Sequence, residues 1–288
     1  MDISFNQVEH RYMSGTPFEK VALKDFSVTI PSGSFTAVIG HTGSGKSTFI
    51  QHINGLLKPT SGTVKVGPYT IAAGEKKIDL KALRKEVGLV FQYPEHQLFE
   101  ETVEKDISFG PINFGVPKAK AMRRAKELLP HVGLPEHVLT TSPFQLSGGQ
   151  MRRVAIAGVL AVNPSILVLD EPAASLDPEG RKQMMDLFVR YHKENQTTTV
   201  LVTHHMEDAA RYADHIIVLH NGQVEMTGGR ELIFERASRL REIGLDLPDS
   251  VRFLEQIKEK WSLTDVPMHF DLEGTADYLA GFMKGKEE

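Results

Sequence analysis

The chain has 288 residues, of which 41% are hydrophobic, enough to bury a real core as one large domain or two modest ones. Its formal net charge of -4 gives no general pull toward nucleic acid or anionic lipid, and the absence of cysteine excludes disulfide frameworks, thiolate metal sites and thiol redox chemistry. The opening MDISFNQVEH lacks the basic and then apolar pattern of a secretory signal. The longest apolar stretch, residues 154–162, is far shorter than the roughly 20 residues a bilayer-spanning helix needs, so any membrane role is expected to be peripheral.

In chain order, short β-rich runs at residues 3–8 and 21–30 are followed by a Pro31-Ser32-Gly33 turn and the apolar run 35–39, which leads into a glycine-rich loop. Residues 47–57 read as a helix and 62–77 as an antiparallel hairpin region with turns near Gly67-Pro68 and Gly74. From 102 to 139 the pattern turns helical, clearest over 118–129, with interruptions at Gly115, Pro117, Pro130 and Pro135. The β/α alternation then resumes: helix 150–161, strand 166–169, helix 178–195, strand 199–203, helix 206–213, strand 215–219. That order predicts an α/β sandwich with a parallel core sheet, a β-rich side lobe and a helical insertion. In the tail beyond about residue 230, Val251, Leu254, Ile257 and Trp261 fall on one helical face, which must bury against either its own domain or another subunit.

Three clusters carry chemistry. Gly40-His41-Thr42-Gly43-Ser44-Gly45-Lys46-Ser47 fits G-x-x-x-x-G-K-[ST] after an apolar strand and before a helix. The glycines let backbone N–H groups wrap phosphates at a helix N-terminus, Lys46 reaches the β- and γ-phosphates, Ser47 serves Mg²⁺ and Thr48 an α-phosphate oxygen. The strand 166–169 runs into Asp170-Glu171, two carboxylates that would be costly to bury without a cation. Asp170 is the candidate Mg²⁺ holder through a water, and Glu171 the candidate catalytic base. Leu146-Ser147-Gly148-Gly149-Gln150 precedes a helix and reads either as a second anion site or as a plain N-cap turn.

Together with Thr203-His204, and in this order, these motifs resemble an ABC-type ATPase over roughly residues 1–230. The resemblance implies a P-loop ATPase with a RecA-like parallel-sheet core, an antiparallel β-lobe, a helical signature subdomain at about 95–160 and a small C-terminal helical extension, 231–288, as a possible dimer contact. It implies ATP and Mg²⁺ as cofactors. It also implies that Ser147, Gly148, Gly149 and Gln150 act in trans on the nucleotide of a second subunit. In the same way it assigns Gln92 to the loop that senses Mg²⁺ and the membrane partner, Asp177 to the dimer-contact loop and His204 to the γ-phosphate switch. His205 stands where the family often has an acidic residue and receives no role. Tyr12 is the expected adenine-stacking aromatic, with ordinary packing as its alternative.

The stretch from Val87 to Phe99, running on through Glu100-Glu101-Thr102-Val103 to Phe109-Gly110-Pro111, resembles the cobalt-type and energy-coupling factor importers. Gly15-Thr16-Pro17-Phe18-Glu19 and the phrase from Gly110 to Gly115 look most like the second of their two paired ATPases. Implied partners are a homologous ATPase, a transmembrane coupling protein and a small substrate-capturing membrane protein, with no nucleic acid, at the cytoplasmic side of the cell membrane. A groove near Gln92 and residues 94–99 would receive a coupling helix through Leu98, Phe99 and Glu95. Another ABC transporter's ATPase or a soluble ABC protein remains the alternative.

Overall fold

A computed structural model describes residues 1–75, 77–261 and 266–287; residue 76 of the expected hairpin region and residues 262–265 and 288 of the tail lie outside the described residues. Among the described residues ten strands form two sheets. The core sheet has the order β10-β9-β3-β8-β7-β6, from Gln223–Gly228, His215–His220, Phe35–Ile39, Thr198–Val202, Ile166–Asp170 and Val87–Val90. Its strands pair in parallel except β10, which turns back on β9. Every residue of β3 and β8 is buried, as a strand covered on both faces demands, and this is why these runs read as continuous apolar or threonine-rich segments without alternation.

The second sheet, β2-β1-β4-β5, is antiparallel and is built from Lys20–Ile30, Ile3–Tyr12, Ser61–Val66 and Tyr69–Ala72. Its strands alternate between buried and exposed residues, the mark of a sheet with one wet face. Its inner face packs with Val38, Phe49, Ile53 and Val168 in one apolar cluster, where Phe5, Phe26 and Phe49 meet ring to ring. Helix α1, Lys46–Ile53, lies in this cluster and stops before the position predicted, because Gly55 takes a left-handed φ of 66°.

On the other face of the core sheet lie α3 (Val103–Asn113), α4 (Lys118–Leu128), α5 (Gly148–Ala161) and α6 (Pro178–Asn195), preceded by the short α2 (Leu80–Glu86). Pro111 sits inside α3 without ending it. The second apolar cluster runs through these helices into α7 (Met206–Tyr212), α8 (Arg230–Phe234), α9 (Ala237–Glu242) and the start of α10 (Asp249–Lys260). Residues beyond 230 therefore do not build a core of their own: Phe234, Leu240, Leu247 and Val251 share the one that holds Met185 and Phe188 of α6. Of the predicted tail face, Val251, Leu254 and Ile257 are buried within the chain, while Trp261 is 37% exposed and stacks on Phe282 of α11 (Leu272–Glu287) at 5.2 Å.

Candidate nucleotide site

The glycine-rich loop leaves the buried end of β3 and closes on α1, which begins at Lys46 with no side-chain cap. Gly45 is left-handed at φ 107°, and a Cβ there would meet the Ala22 carbonyl at 2.8 Å, so the loop must pass glycine-close to β2 of the antiparallel sheet. Gly222 makes the same approach to Ala22 at 2.7 Å, and its N–H donates to the Ser44 carbonyl. The first N–H groups of α1 thus have no side-chain cap, the condition in which a helix end can take an anion.

Lys46 folds back over the loop, donating to the Gly40 and His41 carbonyls at 2.6 and 3.0 Å. Burial lowers its pKa, against the raising pull of Glu171 and Asp170. The Ser44 hydroxyl is buried with no hydrogen-bond partner among the described residues. Beside them, β7 delivers Asp170, whose carboxyl is pushed up to about 6 by burial first, then by Glu171, with Lys46 opposing. Such a carboxyl is short of positive charge. Glu171 turns away from it because its backbone is left-handed, φ 48°, pinned by an N–H bond to the Val202 carbonyl at 2.9 Å.

That turn brings three predicted residues together. Glu171 Oε1 contacts His204 Nδ1 at 3.1 Å, and Gln92 Nε2 donates to Glu171 Oε2 at 3.3 Å. Lys46, Ser47, Thr48, Gln92, Asp170 and Glu171 line one cleft of about 280 Å³, closed on the far side by Thr42, Gly43 and Gly45. Tyr12 lines it too, 38% exposed, with its hydroxyl sharing a 3.1 Å hydrogen bond with Thr48 Oγ1 and its ring edge-to-face with His10. Lys20 and Ala22 complete this wall, and no sequence motif pointed to either. His205 is held neutral at pH 7, its pKa lowered to about 4 by burial, then by Arg181 and His204.

Ser147, Gly148, Gly149 and Gln150 do not line this cleft. Ser147 Oγ accepts from the Gln150 N–H and Gln150 Oε1 from the Ser147 N–H, a capping box at the start of α5, while a Cβ on Gly148 or Gly149 would meet open space. The turn is thus both a cap and an open face. Asp177 is exposed as well, and its carboxylate caps α6 by accepting from the Gly180 N–H at 2.9 Å.

The family model for the ABC transporter matches residues 23–174, more than half of the chain. An energy-coupling factor transporter ATP-binding protein, EcfA2, of Halalkalibacterium halodurans is 62% identical over 96% of this chain and 98% of its own length. This chain belongs to the ABC transporter ATPase family, in its energy-coupling factor branch. EcfA2 proteins of Geobacillus kaustophilus, 58% identical over 97% of this chain and 96% of theirs, and of Bacillus cereus, 55% over 100% and 99%, extend the likeness along the whole sequence. Among solved structures, CbiO1 from Clostridium perfringens, part of the ABC transporter complex CbiONQ, superposes with a TM-score of 0.72 at 35% identity, covering 88% of this chain and 98% of that one. A dimeric ATP-binding cassette in a post-hydrolysis state bound to ADP and Pi superposes with a TM-score of 0.70 at 32% identity, over 79% and 98%. The ATPase is accordingly an ATP-binding cassette enzyme with a RecA-like parallel core, an antiparallel lobe and helical additions.

Two features of this ABC ATPase add to or alter the sequence reading. Arg152, two residues past the LSGGQ turn, is only 4% exposed and donates to the Ala174 carbonyl at 3.0 Å and the Gln92 carbonyl at 2.9 Å. One guanidinium on the signature helix thus ties together the two loops that flank Glu171. Burial lowers its pKa, while Glu95 and Tyr93 favour its charge. The second feature is the expected coupling groove. Leu98 is buried but lines the groove, whereas Glu95, half-buried in the field of Arg152 with one carboxylate oxygen buried, does not line it. Phe99 does, 56% exposed and edge-to-face with Phe109 at 4.7 Å, and the groove also takes in Arg84, Gly110 and Val159. The Phe99 and Glu100 N–H groups both donate to Asp106 Oδ2 at 3.0 Å, which fixes this loop.

The residues present fit a nucleotide with Mg²⁺. The uncapped helix end and the partnerless Ser44 hydroxyl are short of an acceptor, and the buried Asp170 carboxyl is short of a cation. Among the described residues no group of three His, Asp or Glu could hold a metal alone. Mg²⁺ would therefore draw its remaining ligands from phosphate oxygens and water, its usual habit.

Proposed function

We propose that this chain is an ATP-hydrolysing subunit that powers an energy-coupling factor importer for vitamins or metal ions, working as a dimer of homologous ATPases at the cytoplasmic side of the cell membrane. The observation that carries the reading is the division of the site: the phosphate loop, Asp170 and Glu171 line one cleft, while the Ser147–Gln150 turn stands open elsewhere on the same chain. An open anion-binding turn that cannot reach its own cleft serves that of another subunit.

In this reading Lys46 and the N–H groups of the loop hold the phosphates, Tyr12 stacks on the adenine, and Thr48 reaches the α-phosphate. Mg²⁺, held by Ser47, Asp170 and Gln92, would neutralise charge that develops on the phosphates. Glu171 orients and deprotonates the attacking water, His204 reads the γ-phosphate, and Asp177 contacts the partner ATPase. Phosphoryl transfer asks mainly for such positioning and charge stabilisation. No helix among the described residues is long and apolar enough to cross a membrane. The energy of closure would thus pass to a separate transmembrane coupling protein, for which the groove at Phe99 and Phe109 is the receiving surface. A small substrate-capturing membrane protein completes the set.

Tagged chain purified from detergent-solubilised host membranes should bring with it a second ATPase and an integral membrane protein, identified by mass spectrometry. Recovery only from the soluble fraction refutes the transporter role. Glu171→Gln should still bind ATP and form a stable dimer while turnover falls about 100-fold or more; turnover within a few-fold of the parent would remove Glu171 as the base.

A further inference from the structure

Away from the nucleotide cleft, a second cavity opens where α4 of the helical insertion meets α6 of the core and the end of α5. Its walls carry Arg124 from α4, and Arg190, Tyr191 and Glu194 from α6, over a floor of Leu128, Leu160 and Leu187. Tyr191 is 9% exposed, and its hydroxyl is buried with no hydrogen-bond partner among the described residues. Arg124 stands near enough for its charge to act on that hydroxyl. Among the described residues neither Arg124 nor Arg190 makes an ion pair or a side-chain hydrogen bond. A phenol O–H and two guanidinium groups, Arg124 half-buried and Arg190 exposed, therefore line one space, and none of them is paired with Glu127 or Glu194 at its rim. The buried phenol is the costly one to leave in that condition, and an anion seated against it would also meet the two guanidinium groups.

We propose that this cavity is a binding site for a small carboxylate with an apolar body, bridging the helical insertion to the core. The acidic side chains on its rim limit the charge it accepts. Glu194 has no partner among the described residues, and Glu127, 3.7 Å from Arg123, closes the α4 side, so a singly charged carboxylate fits where a phosphate dianion would meet repulsion. The leucine floor calls for an aliphatic or aromatic portion. Because α4 packs on α5, which carries the signature turn, a ligand held between α4 and α6 would restrain how that turn moves against the core.

The test uses the full chain saturated with Mg·ADP, so that the nucleotide cleft is filled, and follows hexanoate, hexanol and inorganic phosphate by saturation-transfer NMR with titration. Hexanoate should bind, hexanol and phosphate should bind markedly less, and Arg124→Gln combined with Arg190→Gln should weaken hexanoate about tenfold or more. Tyr191→Phe, which keeps the packing, should weaken it by a smaller factor. Equal binding of hexanoate and hexanol, preference for phosphate, no binding of hexanoate, or hexanoate binding unchanged in the double variant each overturns the proposal. Circular dichroism of the variants checks that a loss is not unfolding.

Discussion

Replacing Arg152 by lysine tests whether the guanidinium that joins the loops of Gln92 and Ala174 sets the geometry of hydrolysis. Its two bonds, at 3.0 and 2.9 Å, leave from two different nitrogens of one planar fork, a geometry that the single nitrogen of a lysine does not reproduce. A hydrogen bond to a charged group contributes about 1.5–3 kcal/mol, so one lost bond should destabilise the chain by about 2 kcal/mol, less what the lysine recovers through water. If about 1.4 kcal/mol of that had held Gln92 and Glu171 in register for the transition state, kcat falls about tenfold. KM for ATP should move by less than about threefold, because Lys46 and the phosphate loop are untouched. The assay is steady-state ATPase activity of the chain assembled with its partners, alongside urea unfolding. A lower urea midpoint with kcat within about twofold of the parent would mean that Arg152 only supports the fold, and positioning through it would be refuted.

Tyr12→Ala removes a stacking platform of about 1–3 kcal/mol and should raise KM for ATP about tenfold with a small change in kcat, whereas Tyr12→Phe keeps the ring and should stay near the parent. Equal KM values in all three would return Tyr12 to ordinary packing. Phe99→Asp places a charge on the exposed aromatic pair and should abolish recovery of the chain with the membrane fraction while leaving basal ATPase activity intact; unchanged recovery would move the coupling surface elsewhere. His52 is wholly buried against Phe5 and His10, with its pKa lowered to about 4 by burial. Since its folded pKa lies below the unfolded value of about 6.5, the unfolded chain takes up the proton first. Stability is then full above pH 6.5 and is lost as pH falls toward 4, by up to about 3 kcal/mol. Urea midpoints at pH 7 and pH 5 should therefore diverge less in His52→Leu than in the parent, and identical divergence would acquit this histidine.

Where one face or both faces of an element are covered, the sequence was readable: β3 and α6 lie where the apolar run 35–39 and the helix 178–195 were drawn. The short α2 and β10 were missed. Neither is long enough to show a period, and β10 is an edge strand held by its pairing to β9. At the candidate site, the phosphate loop, Asp170 and Glu171 were legible as strings at strand ends, and Gln92 and His204 only through the family resemblance; the fold brings Lys46, Gln92, Asp170 and Glu171 to one cleft, with His204 on Glu171. Arg152 escaped for a physical reason. A buried arginine looks like any helix-surface arginine until the carbonyls it serves, 60 and 22 residues away, are brought to it by the fold.

The close passage of Ala22 over Gly45 and Gly222 has a consequence for how this enzyme can be altered. The joint between its antiparallel lobe and its parallel core runs through the phosphate loop, where neither glycine leaves room for a methyl group. The wall that would hold the base and the wall that would hold the phosphates therefore meet at one close contact. A new base preference could be sought at Tyr12 and Lys20 without retuning Lys46. A single residue inserted into β2 near Ala22 would disturb both walls at once, so variation in the lobe should be tolerated on its outer strand β5 far more readily than at this seam.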